Sequence, residues 1–261
     1  MQELRTAAET SKDVRWLDCT KIVGTDCYCD DDAIKEINEL IDNAECDIEN
    51  RGNSTSAPAI HFFDNGNYHY MSKLWTDRVQ EPFTLIVFDH HPDMQPPRFG
   101  GILSCGGWVK EVLDSNKFIQ SVIIIGVKDE LIETVREELS QSGESSILEK
   151  VTFIKESKLS TLPSIICSDY VNVFSSNLYI SIDKDALSPT YAATNWDQGS
   201  LTLDALKNCI TTLASGRKIL GIDICGERAH DFEGDEHHTV QEADSLNSEL
   251  NRELVEFLNN L

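Results

Sequence analysis

The chain of 261 residues carries 45 acidic against 22 basic side chains, a formal charge of −23 at neutral pH. That excess repels phosphate backbones and anionic bilayers, which excludes nucleic acid and membrane surfaces as partners; cations and cationic substrates match its sign, and the charge also serves solubility. With 40% hydrophobic residues the chain has ample material for a core, and no repeat, low-complexity tract or long linker divides it, so residues 1–261 read as a single domain.

Apolar, β-branched runs bounded by turn residues predict strands at Ala59–Phe63, Phe83–Phe88, Ser121–Val127, Val151–Ile154, Leu178–Ile182 and Ile219–Ile224. Helical spacing lies between them. Asp31 or Asp32 is positioned to cap a helix carrying Ile34, Ile37, Leu40 and Ile41, and Glu130 to Leu139 repeats the pattern. Thr202 opens a further helix with Leu203, Leu206, Ile210 and Leu213 on one face, and Ser248 to Leu258 forms the last. The stretches Gly143–Ser146 and Asp231–His238 read as surface loops. Strand and helix alternate, and near-continuous apolar strands require cover on both faces, which predicts a three-layer α/β/α sandwich with a mostly parallel sheet.

No apolar run approaches the roughly 18 residues that span a bilayer, and the first residues are too polar for a secretory signal, so a cytoplasmic location is expected. The eight cysteines, at 19, 27, 29, 46, 105, 167, 209 and 225, lack paired CxxC spacing and read as reduced thiols, mostly in the core. Cys27 and Cys29 could hold a soft metal or simply mark a loop-to-helix junction.

Chemistry concentrates where strands end. The strand Leu85-Ile86-Val87-Phe88 runs into Asp89-His90-His91-Pro92-Asp93, and residues two apart on an extended segment project to one side, so Asp89, His91 and Asp93 can converge while His90 faces elsewhere. A second strand runs into Asp183-Lys184-Asp185 with the same alternation, and His69 follows a third. Packed together, these carboxylates repel one another and desolvate at great cost unless cations join them. Oxygen-rich ligation with two imidazoles and no thiolate suits Mn²⁺ better than zinc or copper, and the six side chains suffice for two ions if some carboxylates bridge.

These residues carry a resemblance. Asp89-His90-His91-Pro92-Asp93 resembles the Asp-Ala-His-x-Asp motif of arginases and agmatinases, and Ser181 to Pro189 resembles their Ser-x-Asp-x-Asp-x-x-Asp-Pro motif. Gly66-Asn67-Tyr68-His69 stands where the family has Gly-Gly-Asp-His. Gly199-Ser200-Leu201-Thr202 is similar to the family's Gly-Gly-Leu-Thr, and Gly221-Ile222-Asp223-Ile224 to its strand carrying Asp-x-x-Glu. The chain is thereby identified as a divergent member of the ureohydrolase superfamily. The resemblance implies two Mn²⁺ ions, one held by His69, Asp89, Asp93 and Asp183, the other by Asp89, His91, Asp183 and Asp185. It implies a water acidified to a metal-bridging hydroxide that attacks a guanidinium or amidine carbon, with Asp93 passing the proton to the leaving amine. Ureohydrolases often form trimers or hexamers, so the resemblance is compatible with a homo-oligomer, although no residue here marks an interface.

Departures fall on the substrate side. By count Trp108 replaces the family's proton-shuttling histidine in Ser104-Cys105-Gly106-Gly107-Trp108, leaving His90, His61 and His230 as candidates for that task. The loop Asp93–Phe99, including Gln95, differs from the segment that grips an α-amino acid. The family glutamate that pairs with the guanidinium falls on Gly226, with Glu227 one residue later and able to substitute if the backbone shifts. Gln95, Ser104, Trp108, Trp196 and Glu227 are therefore the expected substrate-side residues, with Asp93 and Glu227 catalytic. Trp75 reads as core, and the acidic run with His237 and His238 as a solvated loop. The expected activity is hydrolysis of a linear C–N bond in a small cationic guanidino compound; an arginine-containing peptide and a metal-binding protein without turnover are the alternatives. A deacetylase, similar in fold, uses a single-zinc site that this two-metal set does not match.

Overall fold

The computed structural model describes residues 14–50, 58–97, 100–161 and 177–261, the side chains of 47–50 excepted. Cys167, Arg98 and Phe99 lie outside the described residues. Every predicted strand is present. In chain order the strands are β1 (Tyr28–Cys29), β2 (Ala59–Phe62), β3 (Phe83–Phe88), β4 (Leu103–Ser104), β5 (Ile119–Val127), β6 (Val151–Lys155), β7 (Asn177–Asp183) and β8 (Lys218–Cys225). The helices are α1 (Asp31–Asn50), α2 (Met71–Thr76), α3 (Trp108–Ser115), α4 (Asp129–Gln141), α5 (Leu203–Ala214) and α6 (Val240–Leu258).

Six strands form one sheet in the order β2-β8-β7-β3-β5-β6, and each of its pairings is parallel. Successive side chains of a strand face opposite layers. Leu85 and Val87 accordingly pack with Ile37 of α1, Val112 of α3 and Val135 of α4, whereas Ile86 and Phe88 pack with Leu206 of α5 and Leu254 of α6. Both faces are covered, so the expected α/β/α sandwich is the observed architecture. No helix among the described residues is long and apolar enough to cross a membrane.

Strand order also positions the site. From β3 the chain steps outward through β5 to β6, then returns with β7 on the other side of β3. Connections therefore diverge between β3 and β7, and the crevice beyond the carboxyl ends of two such strands is where ligands sit in open parallel sheets. Those two ends carry Asp89 and Asp183.

Two helix starts differ from expectation. The side chain that caps α1 is Asp30, whose Oδ1 accepts from the Ala33 N–H at 2.9 Å, and Asp31 and Asp32 occupy the first turn, where negative charge favours the helix dipole. α6 begins at Val240 and not near Ser248. Thr239 and Glu242 form a reciprocal capping box there, which stabilises a first half that is otherwise too polar to show an apolar stripe. Tyr28 and Cys29 enter an antiparallel pairing with Leu103–Ser104, with Cys29 buried in the core. The 231–238 run is an exposed turn in which Asp235 Oδ1 accepts from the backbone N–H of His237 and His238 at 2.7 Å each.

Candidate metal centre

Asp89 follows β3 directly, and its N–H still donates to Ile125 O at 3.0 Å. Its Oδ1 accepts from the His91 N–H at 2.6 Å, which turns the chain. Asp93 adopts φ +48, a left-handed conformation costly for a residue with a Cβ and found where surrounding structure enforces a functional geometry. On β7 the pattern repeats, with Asp183 Oδ1 accepting from the Asp185 N–H at 3.0 Å. His69 arrives from the turn after β2, where Asn65 caps a single 3₁₀ turn over Gly66–Tyr68.

The structure brings the six expected side chains together. His69 Nδ1 lies 3.1 Å from Asp89 Oδ2, 3.0 Å from Asp93 Oδ2 and 3.5 Å from Asp183 Oδ2. His91 Nδ1 lies 2.9 Å from Asp185 Oδ2 and 3.5 Å from Asp89 Oδ1. Two groups of ligand atoms result, His69/Asp89/Asp93 and Asp89/His91/Asp185, each with its atoms within 4.8 Å of one another, and Asp89 belongs to both. Asp89 is 1% exposed, and its Oδ2 accepts no well-directed hydrogen bond among the described residues, although His69 Nδ1 stands 3.1 Å away. A buried carboxylate oxygen without a well-directed donor is costly, and a divalent cation at that oxygen would offset the cost. The donor set fits divalent cations.

The electrostatics show the same strain. Burial and the neighbouring Asp185 push Asp183 up to about 7, and burial with Asp89 nearby raises Asp185. Burial opposes a charged His91, yet hydrogen bonds to Asp185 and Asp89 outweigh it and raise the imidazole well above its usual range. The cluster thus retains protons that cations would displace.

Polar side chains support the imidazoles. His69 Nε2 lies 2.9 Å from Ser181 Oγ, which is 3.0 Å from Ser72 Oγ. His91 Nε2 lies 3.0 Å from Asp197 Oδ1, and Lys128 Nζ donates to the other oxygen of that carboxylate at 3.0 Å. A carboxylate behind a histidine fixes which nitrogen points to a metal. Asp197 escaped the sequence reading because it precedes the Gly199 turn in a loop with no motif of its own. Cys225 escaped it too. Its Sγ donates to Asp183 Oδ2 at 3.1 Å, so this thiol lies at the cluster and not in the apolar core.

Two expected substrate residues are occupied elsewhere. Trp108 is fully buried, packs its ring 4.8 Å from that of His69, and donates from Nε1 to Asp93 Oδ2 at 2.8 Å. It therefore supports Asp93 from beneath instead of presenting a surface to a ligand. Glu227 turns away from the cluster: its Oε1 accepts from Lys184 Nζ at 2.6 Å and from Asn251 Nδ2 at 2.8 Å. Lys184 opens the short 3₁₀ turn that Asp183 caps, and its buried ammonium engages the glutamate. Burial works against the charged form of Glu227, but Lys184 holds its carboxyl below the ordinary range. Gly226 cannot take the family glutamate on this backbone, since at φ +94 a Cβ would stand 2.4 Å from Asp183 Oδ1.

The remaining residues border the centre. Trp196, 42% exposed, meets the His91 ring edge-to-face at 5.7 Å and donates to Asn67 Oδ1 at 3.1 Å. Exposed Gln95 and half-buried Ser104 sit on segments joined by the Gln95 N–H donating to Gly106 O at 2.9 Å, beside the cluster rather than in it. Of the alternative shuttle histidines, His61 is stacked 3.6 Å over Trp75 and engaged with Asp223 at 2.8 Å, and His230 is exposed in a turn. His90 is buried close by, with Nδ1 lacking a partner among the described residues.

Residues 67–241 match the Arginase family. The chain belongs to that family. An uncharacterized protein of Thermotoga maritima is 27% identical over 168 residues, which covers 64% of this chain and 58% of that relative. The chain thus matches less than two thirds of the relative's length. Among solved structures, the agmatine ureohydrolase of Thermoplasma volcanium superposes with a TM-score of 0.61 at 17% identity, over 86% of this chain and 68% of that one. The arginase of Bacillus caldovelox gives 0.58 at 16% identity, over 92% and 81%. The Trypanosoma cruzi formiminoglutamase, solved with Mn²⁺, gives 0.53 at 13% identity, over 74% and 63%. At these identities the likeness is one of fold.

Proposed function

We propose that this arginase-family protein is a two-metal-ion amidinohydrolase that cleaves a linear C–N bond of a small cationic guanidino or amidine compound. The observation that carries the reading is the pair of ligand groups sharing Asp89, with a buried oxygen of that residue that accepts no well-directed hydrogen bond among the described residues. His69, Asp89, Asp93 and Asp183 would hold one divalent ion, and Asp89, His91, Asp183 and Asp185 the other. Oxygen and imidazole donors suit manganese. When bound, the ions acidify water and polarise the carbon under attack.

The chain's own residues supply the rest. Asp93 Oδ2, anchored by the Trp108 indole, is the site that accepts a proton and returns it to the leaving amine. Ser181 and Asp197 keep the His69 and His91 rings aligned. A cationic substrate approaches past Trp196, whose ring face attracts a guanidinium, and past the Asp197 carboxylate. Glu227, held by Lys184, stabilises the β7 and β8 ends from the far side and makes no contact with substrate in this reading.

Purified protein loaded with Mn²⁺ should release urea or ammonia from at least one of arginine, agmatine, guanidinobutyrate, formiminoglutamate and arginine-containing peptides. Failure across that panel, with metal bound, would favour a second reading, metal binding without turnover. The observation behind that alternative is specific: Gly226 and Glu227 leave the guanidinium without the family's glutamate.

A further inference from the structure

Cys225 closes β8 directly beside Asp183, its register partner on β7, and is 1% exposed. Asp223 and Cys225, two residues apart, share one face of the sheet with Ser181 and Asp183, which stand opposite them. That face leads to His69. One atom each from His69, Asp183 and Cys225 forms a third group within 4.8 Å, all three residues buried. His69 Nδ1 lies 3.5 Å from Asp183 Oδ2 and 3.1 Å from Asp89 Oδ2. A sulfur is thus placed among the atoms proposed to hold the more buried ion, whereas the Asp89/His91/Asp185 group contains only nitrogen and oxygen.

Ligand softness separates the two positions. Thiolates favour zinc and other soft or borderline cations, and carboxylates with imidazoles tolerate manganese. We propose that Cys225 is a sulfur ligand of the buried ion, so that the centre has one position selective for zinc- or cobalt-like cations and one that accepts manganese. On binding, the S–H bond is replaced by a sulfur–metal bond and the proton leaves to solvent; no electron is transferred. This inference rests on the two-cation reading above and refines its metal identity.

Cobalt titration of the full metal-stripped chain tests both and tells them apart. Visible ligand-field absorption reports Co²⁺ in either position, and a near-ultraviolet sulfur-to-cobalt charge-transfer band reports the thiolate bond alone. Wild-type protein should take up two equivalents and develop the charge-transfer band with only one of them. Cys225→Ser should bind Co²⁺ without the band, and its preference for zinc over manganese at that position should fall by about tenfold or more, the scale on which ligand-environment changes alter metal affinity. Ligand-field bands without charge transfer in the wild type would overturn the sulfur ligand and leave the two-cation centre standing, as would an unaltered band in Cys225→Ser. No cobalt uptake by the wild type would overturn both. The wild-type spectrum decides the matter even if the variant folds poorly.

Discussion

The Trp108 indole donates a 2.8 Å hydrogen bond to Oδ2 of Asp93, the oxygen that also lies 3.0 Å from His69 Nδ1. A side chain that cannot shuttle protons therefore stands beneath one that can, and fixes its direction. Trp108→Phe keeps most of the buried ring and removes the donor. Mn²⁺ affinity, measured by calorimetry, should drop about 10- to 100-fold, as for other residues that orient a metal ligand. Unfolding free energy in the metal-free protein should fall by about 1–3 kcal/mol.

Asp89 should show the opposite sign. Asp89→Asn retains an oxygen for the His91 N–H while removing a charge from beside Asp93, Asp183 and Asp185. The metal-free variant should be more stable than wild type by about 1–3 kcal/mol in urea unfolding, because one of the mutually repelling buried carboxylates is gone. The rise in Tm on adding Mn²⁺ should disappear. Stability gained where binding is lost is the mark of a site strained for function.

The Lys184–Glu227 pair makes a prediction in pH. Burial opposes the charged carboxyl of Glu227, but Lys184 prevails and holds its folded-state pKa below the ordinary glutamate range. A depressed carboxyl contributes stability that is fully present above the unfolded value and fades as pH falls through the folded one. Glu227→Gln should cost about 3–5 kcal/mol at pH 7, since it leaves a buried ammonium without its counter-charge. The gap between wild type and variant should narrow below about pH 4.3. Guanidinium unfolding of both proteins from pH 7 to 3 measures it.

A fourth test lies outside the centre. Thr239→Ala removes the cap of α6 and should destabilise the protein by about 1 kcal/mol without changing metal stoichiometry. Circular dichroism melts and equilibrium dialysis give the two readouts.

The strands were legible because parallel central strands are buried on both faces: β3 is apolar at nearly every position, and so is the second half of β5. The acidic strand ends were legible from their two-residue spacing, which the structure realises through turns in which Asp89 and Asp183 accept from the N–H of His91 and Asp185. The first half of α6 left little trace because Ala243 and Asn247 are its only fully buried side chains before Leu250 among the described residues, and its capping box was the available signal. Pairings distant in sequence were not legible. Lys184 reaches Glu227 across 43 residues, and nothing near either position shows that the glutamate will turn from the metal centre. Cys225 looked like any strand cysteine until its register with Asp183 was known. Trp108 could be counted into the shuttle position, but only the fold shows that its ring is buried under Asp93.

The adjacency of β3 and β7 has a kinetic consequence. His91 and Asp185 meet although 94 residues separate them, so the carboxylates of Asp89 and Asp185 confront one another only when the returning strand docks. Closing so long a loop is the slow, entropically expensive part of assembling such a sheet. Metal-free chains meet their electrostatic penalty at that moment, and divalent ions relieve it there. Cations at this seam would act on the rate at which the molecule is completed, as well as on what it does once complete.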